Sequence, residues 1–153
     1  MTLSQLLKRE LVLVKQPCQT KDEFISRLVD QIHSFDMKLP VSKEHLSQSI
    51  QTREQIGGTL LPSGLFVPHA RLDDFEDFIL VLGTPALPIP HEAIKIRLIA
   101  LMISSQSGGD FYLPALAALT KISRDRDFFH RLCETDNAED LIKIMFERDM
   151  ELA

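Results

Sequence analysis

Cysteine is scarce in this chain, which carries only Cys18 and Cys133 among 153 residues. Two cysteines do not make a disulfide framework, so each is interpreted as a small buried apolar residue. Long apolar runs are also missing, since segments such as 78–82 and 98–103 fall far short of the ~20 residues needed to cross a bilayer. The N-terminus has no basic start followed by an apolar core, so no secretion signal is predicted and a cytoplasmic protein is expected.

Positive charge is in deficit as well. Seventeen Lys and Arg residues stand against 22 Asp and Glu residues, for a formal net charge of −5, and no basic run of five or more interrupts that balance. This argues against nucleic acid as the main partner. The length and the hydrophobic share of 44% predict a single domain, 1–153, that can bury a core without disulfide or metal staples.

The chain also lacks the short motifs of several enzyme classes. It has no Gly-x-Ser-x-Gly nucleophile elbow and no Gly-x-x-x-x-Gly-Lys-Ser/Thr loop for nucleotide phosphates. No histidine stands four residues from another histidine, and no Cys-x-x-Cys occurs. Neither a metal site nor another cofactor is therefore predicted.

Apolar patterning predicts strands interleaved with helices. The strand candidates are continuous apolar runs, which is typical of strands covered on both faces, and together the elements predict an α/β fold arranged as a three-layer sandwich. The proline-rich segment 85–90 is predicted to be an extended connection, and 104–109 a polar loop. The predicted strands are about 10–15, 65–67, 78–82 and 97–103, and the predicted helices are about 21–35, 42–52, 111–123, 125–134 and 137–148.

One histidine, His69, combines an apolar strand, a neighbouring proline and an upstream loop that contains Gly, Thr and Ser. Pro68 cannot donate to a ladder, so strand 65–67 is predicted to end there and to present His69 at its C-terminal tip. Open α/β sheets hold ligands at such tips, and an imidazole that titrates near neutrality can act as a base or a nucleophile. A buried core histidine remains the alternative. The other histidines are interpreted as surface or structural residues: His33, His45, His91 and His130.

The segment that ends at His69 resembles the active-site signature of enzyme IIA domains of the fructose/mannitol type. These domains belong to the bacterial phosphoenolpyruvate-dependent phosphotransferase system, and the nitrogen-regulatory IIA proteins are members of the same family. The resemblance rests on the spacing of Arg53-Glu54, Thr59, Gly64 and Val67-Pro68-His69. The order of elements extends it over about residues 5 to 147. The family fold is a mixed β-sheet flanked by helices on both faces.

The resemblance implies a phosphoryl relay in which a histidine phosphocarrier protein phosphorylates His69 through Nε2. The group then passes to a IIB domain, or the protein acts on a regulatory target. Arg53 is expected to clamp phosphate oxygens with its planar fork, although a helix-terminal cation that bonds carbonyls is the alternative. The hydroxyls of Thr59 and Ser63 and the amides near Gly64 are expected to supply further donors.

Four residues depart from the family pattern. Phe66 stands where alanine is usual, Ala70 and Pro62 replace glycines, and Tyr112 occupies a position where a second histidine is common. Tyr112 keeps a hydroxyl that can support the site but is not a cation at neutral pH. The departures keep open a second hypothesis, a non-catalytic regulatory binding module. A buried His69 that does not titrate between pH 5 and 8 would favour that module.

Two further points bear on the function. The acidic run 73–77 is interpreted as a solvated connection, but close to His69 it would favour the imidazolium and oppose a phosphoryl group. The stand-alone length favours a nitrogen-regulatory role over dedicated sugar uptake. A hydrolase that uses His69 as general base is the weakest hypothesis, because no nucleophile accompanies it.

Overall fold

A five-stranded mixed sheet forms the centre of the protein, for which a computed structural model describes residues 2–35, 39–56, 58–106 and 111–151. The strands are β1 (Val12–Gln16), β2 (Leu65–Phe66), β3 (His69–Leu72), β4 (Ile79–Pro85), β5 (Ile89–His91), β6 (Ile94–Ile96) and β7 (Leu98–Ser105). Strands β4 and β7 are antiparallel at its centre, β1 runs parallel to β4, and β2 and β3 both run parallel to β7 on its other side. Strands β5 and β6 form a separate antiparallel hairpin.

Helices cover both faces of this sheet. They are α1 (Lys21–Phe35), α2 (Lys43–Ile56), α3 (Tyr112–Arg124), α4 (Arg126–Cys133) and α5 (Ala138–Glu151), and two short 3-10 helices (Leu3–Leu6 and Arg9–Leu11) precede β1. Along β7 the odd-numbered apolar side chains pack with α1 and α2, whereas the even-numbered ones pack with α3, α4 and α5. This alternation follows from the period of two in a strand. The predicted three-layer α/β sandwich with a mixed sheet is confirmed.

The helix bounds follow from local chemistry. In α1 the apolar residues recur at helical spacing and are fully buried. The Thr20 hydroxyl accepts from the Glu23 amide at 3.1 Å and the Ser42 hydroxyl accepts from the His45 amide at 3.1 Å. Both hydroxyls satisfy donors at the start of a helix, which is why the sequence located these two N-termini well.

Three sequence predictions about strands are wrong. The chain does not leave the sheet at Pro68 but continues as β3, and the predicted connection 85–90 contains the first two residues of β5. Strand β7 extends through Ser105, two residues into the predicted polar loop, whose residues 107–109 lie outside the described part of the chain. Strand β3 and the end of β7 pair with each other although they are distant in the sequence, and such pairing leaves no local signal. In β5 the prolines conceal a strand that pairs with its neighbour β6. None of the helices among the described residues combines the length and apolarity that crossing a bilayer requires.

Candidate functional site around His69

The position of His69 depends on a local interruption of the sheet at Pro68. Proline has no N–H to donate, but the Pro68 carbonyl accepts from the Met102 amide at 3.0 Å, and the ladder resumes with His69 opposite Met102. Ala70 and Leu72 point into the core beneath α1 and α2, so His69 points to the opposite face, toward α3. The side chain is only 3% exposed. His69 therefore begins an edge strand and is largely buried, rather than standing open at a strand tip.

The ring nitrogens of His69 have different surroundings. Nε2 lies 2.7 Å from Ser104 Oγ, and the Ser104 hydroxyl donates to the Ser105 carbonyl at 3.1 Å. In the arrangement in which the Ser104 hydroxyl donates to the Ser105 carbonyl, Ser104 Oγ accepts from Nε2–H and the lone pair of the ring lies on Nδ1. The nitrogen that the resemblance implied as the phosphoryl acceptor is thus occupied by a hydrogen bond in this structure.

Among the described residues, no group hydrogen-bonds to the second ring nitrogen, Nδ1. Nδ1 is therefore the ring nitrogen that these residues leave available.

Tyr112, the first residue of α3, covers one face of the His69 ring. The two ring centroids are 4.0 Å apart and the planes are inclined by 11°, a stacked pair. The sequence prediction that associated Tyr112 with His69 thus corresponds to a direct contact. The stack and the Ser104 hydrogen bond together fix the orientation of the imidazole.

The environment of His69 favours the neutral imidazole. Burial, followed by the positive charges of Arg71 and Arg53, lowers its pKa from 6.5 to about 4. The acidic residues of 73–77 are exposed, as predicted for a solvated connection, and no carboxylate contributes to this shift. At neutral pH the ring is therefore uncharged and nucleophilic.

Stability should fall in mild acid because of His69. The folded protein binds the ring proton with a pKa of about 4, against 6.5 when unfolded, so the unfolded chain is protonated first. The stabilisation is complete above pH 6.5 and is lost as the pH falls to about 4, a change on the order of 3 kcal/mol. Denaturant unfolding of wild type and His69→Gln at pH 7.5 and 4.5 measures this loss of unfolding free energy, because the variant has no imidazole that titrates. An equal pH dependence in both proteins would contradict the expectation.

A cavity of 540 Å³ opens beside His69 at the edge of the sheet, where residues of β3 and of one face of α2 both line it. Arg53 lies in the last turn of α2 and Arg71 lies two residues after His69, hence on the same face of β3. The volume falls within the range of small-molecule pockets. Its lining is His45, Gln48, Ser49, Thr52, Arg53, Ile56, His69, Arg71 and Gln106.

The remaining predicted site residues do not reach this cavity. Thr59 donates its hydroxyl to Glu54 Oε1 at 2.7 Å, which ties the loop to the last turn of α2. Ser63 and Gly64 precede β2, whose Leu65 pairs with Leu98, whereas His69 pairs with Met102. Four strand residues correspond to about 13 Å, so Ser63 and Gly64 lie at the other end of β7, where Ser63 lines a different cavity.

Gly64 has a structural role in that position. Its φ is +97°, its carbonyl accepts from the Arg97 and Leu98 amides, and a Cβ there would lie 2.7 Å from the Lys95 carbonyl oxygen. Only glycine adopts this backbone without strain. The glycine of the signature thus shapes the turn into β2 rather than offering its amide to the His69 cavity.

Sequence reasoning missed several residues of the site. Arg71 lies two residues after His69 and therefore on the same face of β3. A prediction that ends the strand at Pro68 cannot place the two side chains together. Ser104 was assigned to a loop, and only the pairing of β3 with β7 brings it to the imidazole. His45 was interpreted as a structural residue, but it lines the cavity from the exposed side of α2.

Known proteins resemble this chain along nearly its whole length. The nitrogen regulatory protein of Escherichia coli (strain K12) is 25% identical over 153 residues, which cover 96% of this chain and 91% of that protein. The crystal structure of nitrogen regulatory protein IIA-Ntr from Neisseria meningitidis superposes with a TM-score of 0.82 at 15% identity, over 94% of this chain and 98% of that one.

A second solved structure shows the same fold in a complex. Enzyme IIAMTL of Escherichia coli, solved with phosphorylated enzyme IIBMTL, superposes with a TM-score of 0.73 at 16% identity, over 92% of this chain and 97% of that one. The family profile described as phosphoenolpyruvate-dependent sugar phosphotransferase system, EIIA 2, matches residues 5–148. The chain therefore belongs to the EIIA 2 family of the phosphoenolpyruvate-dependent sugar phosphotransferase system.

Proposed function

We propose that the protein is a cytoplasmic phosphocarrier with a regulatory role, reversibly phosphorylated on His69 by a histidine phosphocarrier protein. The observation that supports this most directly is the neutral imidazole at a cavity that also holds Arg53 and Arg71. Phosphoryl transfer needs a correctly placed nucleophile and positive charge around the equatorial oxygens more than it needs other covalent chemistry. The site offers both.

The transfer can be written for the residues in place. The Nδ1 lone pair of His69 attacks the phosphorus of the phosphohistidine donor, the donor N–P bond breaks as the Nδ1–P bond forms, and the electron pair returns to the donor ring. Nε2–H keeps its hydrogen bond to Ser104 and holds the ring in line. The guanidinium groups of Arg53 and Arg71 offset the charge on the phosphoryl oxygens.

The relatives support the regulatory assignment and the partners. The similarity to nitrogen regulatory proteins over nearly the full length of both chains favours a regulatory role over dedicated sugar uptake. The mannitol IIA protein that was solved with phosphorylated IIB supports a IIB domain as a second partner. Both proteins would have to approach the open side of the cavity, between α2 and β3.

The direct test is incubation of the purified protein with phosphoenolpyruvate, enzyme I and the phosphocarrier protein of the same organism. We expect one acid-labile, alkali-stable phosphate per chain. NMR correlation of the ring protons with the ring nitrogens should place the phosphorus on Nδ1, because Nε2 is bonded to Ser104. No label with the cognate partners would overturn the phosphocarrier proposal.

The position of the phosphate tests a separate part of the proposal. A label on Nε2 would leave the phosphocarrier function in place. It would overturn the Nδ1 assignment. Phosphorylation of Nε2 requires that this nitrogen give up its hydrogen bond to Ser104 and that the ring proton move to Nδ1.

A second function is favoured by the burial of the ring. His69 is 3% exposed and is covered by Tyr112, in place of the second histidine that the family commonly has. This arrangement fits a non-catalytic module that uses the fold to bind a regulatory target. A missing titration between pH 5 and 8 does not separate the two functions, because a pKa near 4 suits a buried structural histidine and a nucleophile equally. Phosphorylation by the cognate partners separates them.

A further inference from the structure

A second cavity lies at the opposite end of β7 from His69. Its volume is 860 Å³, and it is bounded by the loop before β2, by the residue before β7 and by the junction of α3 and α4. Basic side chains dominate its charged lining. These are Arg97, Arg124, Arg126 and His130, beside Ser63 and the two carboxylates Asp125 and Asp127.

The charges of this cavity do not cancel. Asp125 is engaged with Arg148, which lies outside the lining, at 2.7 Å. Arg97, Arg124 and Arg126 make no ion pair with any residue of the described part of the chain. Three guanidinium groups therefore face one remaining carboxylate, in a chain whose net charge is −5. An anion that enters the cavity meets an excess of positive charge.

Arg97 is held in place by uncharged groups. Its guanidinium carbon lies 5.2 Å from the centroid of the Phe129 ring, and its Nη2 donates to His130 Nδ1 at 3.2 Å. Neither partner carries a negative charge, so the charge of Arg97 is not neutralised. The cation is thus pre-oriented, and binding an anion would cost less side-chain entropy than at a free surface arginine.

We propose that this cavity binds a small polyanion that carries adjacent phosphate groups, of the diphosphate class. The volume exceeds what a single phosphate fills and falls within the range of small-molecule pockets. Planar guanidinium forks bind phosphate oxygens in pairs, and the Ser63 hydroxyl supplies a neutral donor. The site is separate from His69 and does not depend on the phosphocarrier function.

Titration with inorganic pyrophosphate at constant ionic strength tests the proposal. Binding is monitored by the NMR chemical shifts of the backbone amides and by calorimetry. We expect saturable shifts confined to residues around 62–63, 97 and 123–130, and at least about tenfold tighter binding than for sulfate. Arg124→Gln and Arg126→Gln should each weaken binding by about tenfold, because each removes a paired phosphate contact. Both residues are exposed and make no ion pair among the described residues, so the variants should fold.

Arg131→Gln is the matched control. Arg131 is an exposed arginine of α4 that does not line this cavity, so the substitution removes the same charge and should change pyrophosphate binding by less than about twofold. An equal loss in this control would overturn the site and indicate general charge attraction. Shifts centred on His69, or no saturation at millimolar pyrophosphate, would also overturn it. Phosphorylation of His69 should proceed in all three variants, so failure here leaves the phosphocarrier proposal standing.

Discussion

Replacing His69 by alanine should abolish phosphorylation by the phosphocarrier protein. The substitution removes the nitrogen that accepts the phosphorus, and Tyr112, which stacks on the ring in the wild type, has no nitrogen that could replace it. Incubation with labelled phosphoenolpyruvate, enzyme I and the phosphocarrier protein should give a complete loss of acid-labile label, rather than a reduced rate.

The controls separate chemistry from folding. His69→Gln keeps a polar side chain of similar reach toward Ser104 and should also be unlabelled. His91→Ala changes a histidine on the β5–β6 hairpin, which does not line the cavity, and should be labelled like wild type. Thermal unfolding shows whether each variant is folded. Acid-labile label on folded His69→Ala would identify another acceptor and remove His69 from the relay.

Replacing Gly64 by alanine should lower the free energy of unfolding by about 2–4 kcal/mol. The position has φ of +97°, which a side chain strains, and the new Cβ would meet the Lys95 carbonyl oxygen at 2.7 Å. Backbone strain of this kind costs roughly 1–3 kcal/mol and overpacking a similar amount. Because the contact is with backbone, side-chain repacking does not relieve it. Denaturant titration at pH 7.5 measures the effect.

Gly58 provides the matched control for this prediction. An added Cβ there meets nothing within 4 Å, and Gly58 has no positive φ, so Gly58→Ala should change stability by less than about 0.5 kcal/mol. Equal stability of the two variants would contradict the structural role of Gly64. The folded fraction of Gly64→Ala should still be phosphorylated, since Gly64 lies away from His69. A specific loss of labelling at full stability would instead restore the phosphate-binding role expected from the signature.

Much of the fold could be predicted because its signals are local. A few neighbouring residues are enough to predict the amphipathic helix α1, the helix starts at Thr20 and Ser42, and the apolar strand β7. The β5–β6 hairpin could not be predicted in this way. Its prolines suppress the strand signal, while its stability comes from pairing and from the burial of Ile89 and Ile96.

The site could be predicted only where its residues belong to a local sequence signal. The position of His69, Arg53 and Tyr112 follows from the signature and the order of elements, and the structure brings all three to one region. The orientation of the imidazole depends on Ser104, which is 35 residues away and reaches His69 only through the β3–β7 pairing. Thr59 and Ser63 carry hydroxyls of the kind that suits phosphate chemistry, but Thr59 bonds to Glu54 and Ser63 lines the cavity at the other end of β7.

The stacking of Tyr112 on His69 also has a practical consequence. The chain contains one tyrosine and no tryptophan, so its intrinsic tyrosine emission arises from a single phenol ring in contact with the imidazole of His69. A positively charged or modified ring at that distance alters the emission yield of its aromatic neighbour. The protein therefore contains a built-in optical reporter, with which events at its histidine can be followed in real time without any attached dye.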